Sequence, residues 1–253
     1  MKPPWSDFFQ SDGKTVILPI DHGTAISTPG LENPRGLISD LWDAVDGFVV
    51  NLGMARAFRN ELSGKGICLR ADIYKPDLEE GSVRVCGVDE ADMVGATGMM
   101  HMLYPGNDHE AAIVQECSEL IAECVEGEVL SIIEALPVGL GLPDEYTVEA
   151  VAFAARQAAE LGADVVKTAV PLGNGKELAK VVEACFAPVI VLGGSAVEDD
   201  EGLLRMVFDA MKAGAKGIAI GRNVWQNPKP AKIAKQLAAI VHDEATVAQA
   251  RKL

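Results

Sequence analysis

Short apolar runs recur along the chain, and each ends in a polar residue or a glycine. They occupy residues 15–20 before Asp21, 47–50 before Asn51, 67–71 before Asp72, and 94–100 before His101. They continue with 129–133 before Glu134, 165–170 around Lys167, 189–192 before Gly193, and 217–220 before Gly221. Continuous β-branched and aliphatic runs of this length are the pattern of strands buried on both faces. Between most of them the apolar positions recur every three or four residues, which predicts amphipathic helices. Residues 108–125 carry Ala112, Ile113, Cys117, Leu120, Ile121 and Cys124 in that spacing; residues 147–161 start with an N-cap candidate, Thr147, and place Val148, Val151, Ala152, Ala155 and Ala159 on one face. Further helices are predicted over 177–185, 201–213 and 230–242.

Glycine ends the second of these helices at Gly162. The sequence Glu160-Leu161-Gly162-Ala163-Asp164 before the sixth strand is echoed by Lys212-Ala213-Gly214-Ala215-Lys216 before the eighth. Eight strands alternating with helices predict an α/β fold, a single (β/α)8 barrel domain spanning 1–253. Residues 72–93, where Lys75-Pro76 and Glu79-Glu80-Gly81 interrupt the helical pattern, read as an irregular third connection.

The balance of 37 acidic against 22 basic residues, a net charge of −15, argues against nucleic-acid and anionic-membrane partners. Any anionic ligand must therefore be held by local basic groups. The five cysteines are odd in number and form no C-x-x-C pair, and Cys117 and Cys124 share a helical face. Reduced thiols packed in a cytoplasmic protein are the expectation. The N-terminal stretch has no signal-like apolar core, and no apolar run approaches membrane-spanning length.

In a barrel of this kind functional groups gather at the carboxyl ends of the strands. Here those ends form an acid-rich ring, Asp21, Asn51, Asp72, His101 and Glu134, around one amine, Lys167. A lysine is costly to bury charged, so it snorkels to solvent, pairs with a carboxylate, or sheds its proton and becomes a nucleophile toward ketones. Strand alternation puts Glu134 on the face of Ile132 and Leu136, and Lys167 on the face of Val165 and Ala169. If both faces are inward, carboxylate and amine meet across the mouth, with Asp21 and Glu134 as acid/base groups. Solvated acids on loops remain the alternative at each position.

The last two strand ends, Leu192-Gly193-Gly194-Ser195 and Ile220-Gly221-Arg222-Asn223, combine glycine with hydrogen-bond donors. In (β/α)8 barrels these loops, with a short extra helix, commonly hold a phosphate. Asn223-Val224-Trp225-Gln226 has the length for that helix, and Arg222 supplies a charge. Two tight turns without a ligand are the competing reading.

Four segments, Leu18-Pro19-Ile20-Asp21-His22-Gly23, Val166-Lys167-Thr168, Leu192-Gly193-Gly194 and Gly221-Arg222-Asn223-Val224-Trp225-Gln226, closely resemble the DhnA/LsrF-type class I aldolases. That group includes archaeal-type fructose-bisphosphate aldolase and aminodideoxyheptulosonate synthase. The resemblance implies a Schiff-base lysine at Lys167, a strand-one carboxylate at Asp21, and phosphate binding by Gly193, Gly194, Ser195, Gly221 and Arg222. It implies carbon–carbon lyase chemistry on a phosphorylated ketose such as fructose 1,6-bisphosphate, needing no metal or other cofactor, and a homo-oligomer, with decamers occurring in the group.

One position departs from the group. Its bisphosphate aldolases end strand five in Tyr-Pro, with the tyrosine as proton donor; here the stretch is Ile133-Glu134-Ala135-Leu136-Pro137. Leucine moves no proton, so the role falls to Glu134, or to His101 or Tyr104 at the end of strand four. The change leaves room for two alternatives on the same lysine: LsrF-like acyl transfer from a phosphorylated diketone to coenzyme A, and an aminodideoxyheptulosonate synthase-like transaldolase. A metal-dependent aldolase using His22, His101 and His109 is disfavoured by the lack of paired metal-ligand spacing.

Overall fold

The computed structural model describes residues 4–74, 82–140, 145–172, 175–193 and 199–253. Among them are ten strands: β1 (Thr15–Pro19), β2 (Gly47–Val50), β3 (Gly66–Arg70), β4 (Asp72–Tyr74), β5 (Ser82–Arg84), β6 (Gly98–Leu103), β7 (Leu130–Ala135), β8 (Val165–Thr168), β9 (Val189–Leu192) and β10 (Gly217–Ala219). Eight of these, all but β4 and β5, pair in parallel and close into a barrel, β10 returning to β1. Helices surround it, so the fold is the (β/α)8 barrel that the alternation of runs predicts.

The predicted helices fall at Glu110–Gly127, Val148–Glu160, Gly175–Ala184, Asp200–Lys212 and Pro230–His242. Thr147 caps the second of them, its Oγ1 accepting from the Ala150 amide at 3.2 Å. Gly162 follows that helix with φ +104, a conformation that needs glycine. All five cysteines are buried and free, and Cys117 and Cys124 pack in the core. No helix among the described residues is long and apolar enough to cross a membrane.

Two predicted segments differ. The run from 94 is not one strand: Val94 closes a helix, Val88–Val94, and β6 starts at Gly98 and continues to Leu103. The predicted irregular third connection contains a small antiparallel hairpin, β4 with β5, whose connecting residues 75–81 lie outside the described ones.

Inside the barrel, alternate residues of the strands stack in layers. Ile17, Val49, Cys68, Met100, Leu130, Ile132, Val165, Ile190 and Ala219 form the apolar filling. Phe8 closes the floor. A side chain at Gly47, Gly66 or Gly98, where three strands begin, would come within 2.7, 2.6 or 2.9 Å of its ring. Those glycines make the space in which an aromatic ring seals the end opposite the mouth. Truncating so fully buried a phenylalanine costs about 3–5 kcal/mol.

Candidate active site

The same inward alternation that builds the apolar layers places charge at their top. On β3 it runs Cys68, Arg70; on β7 Ile132, Glu134; on β8 Val165, Lys167. Glu134 and Lys167 are in-register neighbours across β7 and β8. Side-chain bonds at both ends fix that register. Ser131 donates to Asp164 through its amide and Oγ at 2.8 and 2.7 Å, and Thr168 Oγ1 donates to the Ala135 carbonyl at 2.8 Å.

Lys167 is buried, and its Nζ lies 2.7 Å from Glu134 Oε1 and 4.0 Å from Met100 Sδ. Of the three outcomes open to a buried lysine, the fold gives it a paired carboxylate. The other carboxylate oxygen of Glu134 accepts from Arg70 Nη2 at 2.7 Å, and Arg70 Nε donates to Asp21 Oδ2 at 2.7 Å. Arg70 thus ties the two predicted carboxylates together, with Asp72 Oδ1 3.5 Å from its Nη1. The Asp72 carboxylate is fully buried and neither of its oxygens accepts a hydrogen bond from a described residue.

The cluster's electrostatics follow from these contacts. Burial alone raises a carboxyl pKa, but Lys167 and Arg70 outweigh it at Glu134 and bring the value to about 2. Asp21 is likewise held below the ordinary range, burial being outweighed by Arg70, His22 and Lys167. His22, 3.4 Å from Asp21 Oδ1, is shifted down chiefly by burial, against the pull of Asp21.

Arg70 escapes a reading that looks only at the residue after each apolar run, since it sits inside the run 67–71. Its signal is the one that marks Lys167: a charged side chain on the inward alternation of a buried strand.

His101 is not at the mouth. Because β6 runs to Leu103 with Met100 inward, His101 faces outward under helix Glu110–Gly127. There its Nδ1 donates to the Met102 carbonyl at 2.7 Å and its Nε2 lies 3.2 Å from Glu116 Oε2. Burial opposes charging this ring, but Asp72, Cys117 and Glu116 outweigh it and hold its pKa well above the ordinary value. The sequence-based expectation of His101 as a proton donor is therefore corrected: its ring is a structural tie between strand and helix. Among the described residues no cluster of three or more His, Cys, Asp or Glu is disposed to hold a metal.

Two cavities flank Lys167. One, of about 300 Å3, is lined by Asp21, Arg70, Asp72 and Tyr104 with Lys167 and Arg222. The other, of about 200 Å3, is lined by Glu134, Leu136, Tyr146 and Lys167 together with Gly193, Gly221, Arg222 and Asn223. The predicted extra helix is present after β10 as Arg222–Trp225. Trp225 Nε1 donates to the Pro19 carbonyl at 3.1 Å, and Asn223 Nδ2 to the Gly193 carbonyl at 3.0 Å, so this helix is tied to the ends of β1 and β9. Arg222, Gly193 and Gly221 thus meet in one cavity; Gly194 and Ser195 lie outside the described residues.

The profile of the DeoC/LacD family of aldolases matches residues 15–227. A fructose-bisphosphate aldolase class 1 of Thermoproteus tenax is 32% identical over 242 residues, covering 92% of each chain. A 2-amino-3,7-dideoxy-D-threo-hept-6-ulosonate synthase of Archaeoglobus fulgidus is 33% identical over 235 residues, 91% of this chain and 87% of the other. An archaeal fructose-1,6-bisphosphate aldolase, solved with its catalytic lysine covalently bound to the carbinolamine intermediate, superposes with a TM-score of 0.84 at 30% identity, over 94% of this chain and 98% of that one.

Proposed function

The chain belongs to the DeoC/LacD family of aldolases and is an aldolase of the Schiff-base class; we propose that it cleaves, and in reverse joins, a carbon–carbon bond of a phosphorylated ketose such as fructose 1,6-bisphosphate through an iminium on Lys167. The observation that carries this reading is the buried Lys167 Nζ, 2.7 Å from a carboxylate and opening onto a cavity that also holds Arg222.

Glu134 Oε1 takes the ammonium proton and frees the amine, which attacks the ketone carbon; loss of water gives the iminium. The iminium draws the electron pair of the breaking bond. A carboxylate of the Asp21 and Glu134 pair accepts the proton of the hydroxyl that becomes the aldehyde, and Arg70 keeps both ionised for that task. Arg222 and the backbone at Gly193 and Gly221 receive the phosphate. A transaldolase-like transfer on the same lysine is a second reading, favoured by the identity to the Archaeoglobus fulgidus synthase and by Leu136 at the end of β7.

Incubation with dihydroxyacetone phosphate and borohydride, followed by peptide mapping, tests the assignment. The fragment should be fixed on Lys167. Lys167→Met should abolish both adduct and lyase activity, while Lys180→Met, at an exposed position, should change neither, and EDTA should leave the activity intact. An adduct on another lysine, or no adduct together with inactivation by EDTA, overturns it.

A further inference from the structure

Carbon–carbon cleavage on Lys167 leaves an enamine, and turnover requires a proton on its carbon. The titratable groups clustered around Lys167 are poorly suited to give one. Glu134 and Asp21 are both held as strong acids by Arg70 and Lys167, so the proton that one of them takes from the hydroxyl passes on to solvent, and His22 is pushed toward its neutral form. Leu136, next on the inward face of β7, has no proton to give. The acid has to come from elsewhere in the wall.

Its place is narrowed by the two cavities. On the reading above, the phosphate of the enamine half is held beside Gly193 and Gly221, which line the smaller cavity and not the larger, whereas Glu134, Lys167 and Arg222 line both. The acid must therefore share the smaller cavity with Lys167. Tyr104 lines the larger one; Tyr146 lines the smaller, alongside Glu134, Leu136 and Lys167.

The backbone at Tyr146 is held at two points. Its carbonyl accepts from the Leu172 amide at 2.9 Å, just beyond β8, and the next residue, Thr147, caps helix Val148–Glu160. We infer that Tyr146 is the general acid that protonates the enamine carbon of the Lys167 adduct, a role resting on the Schiff-base reading above. Burial, Glu145 and Glu134 all raise the pKa of this phenol and keep it protonated before the step. At 37% exposure it also has access to water for recovering its proton.

The protons balance. A carboxylate takes one from the hydroxyl as the carbon–carbon bond breaks, and the electron pair remains on the enamine. Tyr146 gives its phenolic proton to the enamine carbon, restoring the iminium, which water hydrolyses to ketone and the ammonium of Lys167. The carboxylate's proton returns to the tyrosinate through solvent, so one proton is taken and one given per turnover.

Dihydroxyacetone phosphate in deuterated water supplies the test, because wash-in of deuterium at the carbon next to the ketone requires the Schiff base and this proton transfer but no carbon–carbon cleavage. Borohydride trapping on the same samples reports the Schiff base. Wild type should show both. Tyr146→Phe should trap on Lys167 to the wild-type extent while its exchange falls about 10²–10⁴-fold; Tyr104→Phe removes the competing candidate, and its exchange should exceed that of Tyr146→Phe. Exchange in Tyr146→Phe within a few-fold of wild type overturns the assignment, and loss confined to Tyr104→Phe hands the role to that residue. Equal loss of trapping and exchange in Tyr146→Phe makes the tyrosine structural. Absence of the adduct in wild type overturns the Schiff-base reading itself, an outcome distinct from the other three.

Discussion

Lys167 Nζ and Glu134 Oε1 stand 2.7 Å apart because their Cα atoms are partners across adjacent strands of a closed barrel. The pair is held by backbone register, with no loop in between, and its geometry is as rigid as the barrel. The charges are close enough to share a proton. That makes the carboxylate both the counter-ion of the resting ammonium and the base that frees the amine.

Glu134→Gln keeps the shape and removes the base. It should lower kcat by about 10²–10⁴, and the borohydride adduct on Lys167 should still form but more slowly, because the amine is released without its base. Wild-type turnover in this variant would move the proton transfer to Asp21. Steady-state kinetics and trapping on one preparation separate the two.

The same group sets an acid limit on stability. Its pKa falls from 4.5 in the unfolded chain to about 2 in the folded one, so its contribution is complete above about pH 4.5 and is lost as the pH drops from there toward 2. Urea unfolding at pH 7, 4 and 3 should show a steeper loss for wild type than for Glu134→Gln. Parallel curves would show that the pair contributes nothing to the acid limb.

Arg70 is the counter-ion for three buried carboxylates, Asp21, Asp72 and Glu134. Arg70→Met leaves uncompensated charge in a desolvated cluster and should cost about 3–5 kcal/mol in urea unfolding. It should also move the acid limb of the kcat/KM profile to higher pH, because both carboxylates lose a cation that depresses their pKa. An unshifted profile would assign Arg70 to scaffold alone.

Arg222→Ala should raise KM for a phosphorylated substrate and leave an unphosphorylated analogue nearly unaffected, since the charge-assisted contact is to the phosphate. Equal losses on both substrates would give Arg222 a structural role.

At the opposite end of the barrel, His242 on helix Pro230–His242 binds Asp46 Oδ2 at 3.0 Å and Asp12 Oδ2 at 2.9 Å. Asp46 and Asp12 raise its pKa against the effect of burial. Lys14, Glu244 and Lys65 are the other charges nearby. A raised pKa means the stabilisation is fully present below about 6.5 and is lost as the pH rises through the folded value. Wild type should therefore lose more Tm than His242→Gln between pH 6 and pH 9.

The sequence alone determined the barrel and much of its mouth. Alternation of strand runs with helical periods requires a parallel sheet covered on its outer face, and the parity of Glu134 and Lys167 puts both on one face. Those are local properties of the chain, written in periods of two and about 3.6. Tertiary structure decided what parity could not reach. An apolar stretch hides where helix Val88–Val94 stops and β6 starts, so the outward orientation of His101 depends on where the strand begins and on packing beneath helix Glu110–Gly127. Asp72 lies two residues from Arg70 along the chain, but Asp21 and Glu134 reach the same guanidinium only because the closed barrel brings the ends of β1 and β7 to β3. Tyr146, from a separate connection, shares a cavity with Lys167 only because β7 and β8 are neighbours in space. Side-chain direction along one strand is set by covalent geometry, whereas which charges meet is set by the curvature and closure of the whole sheet.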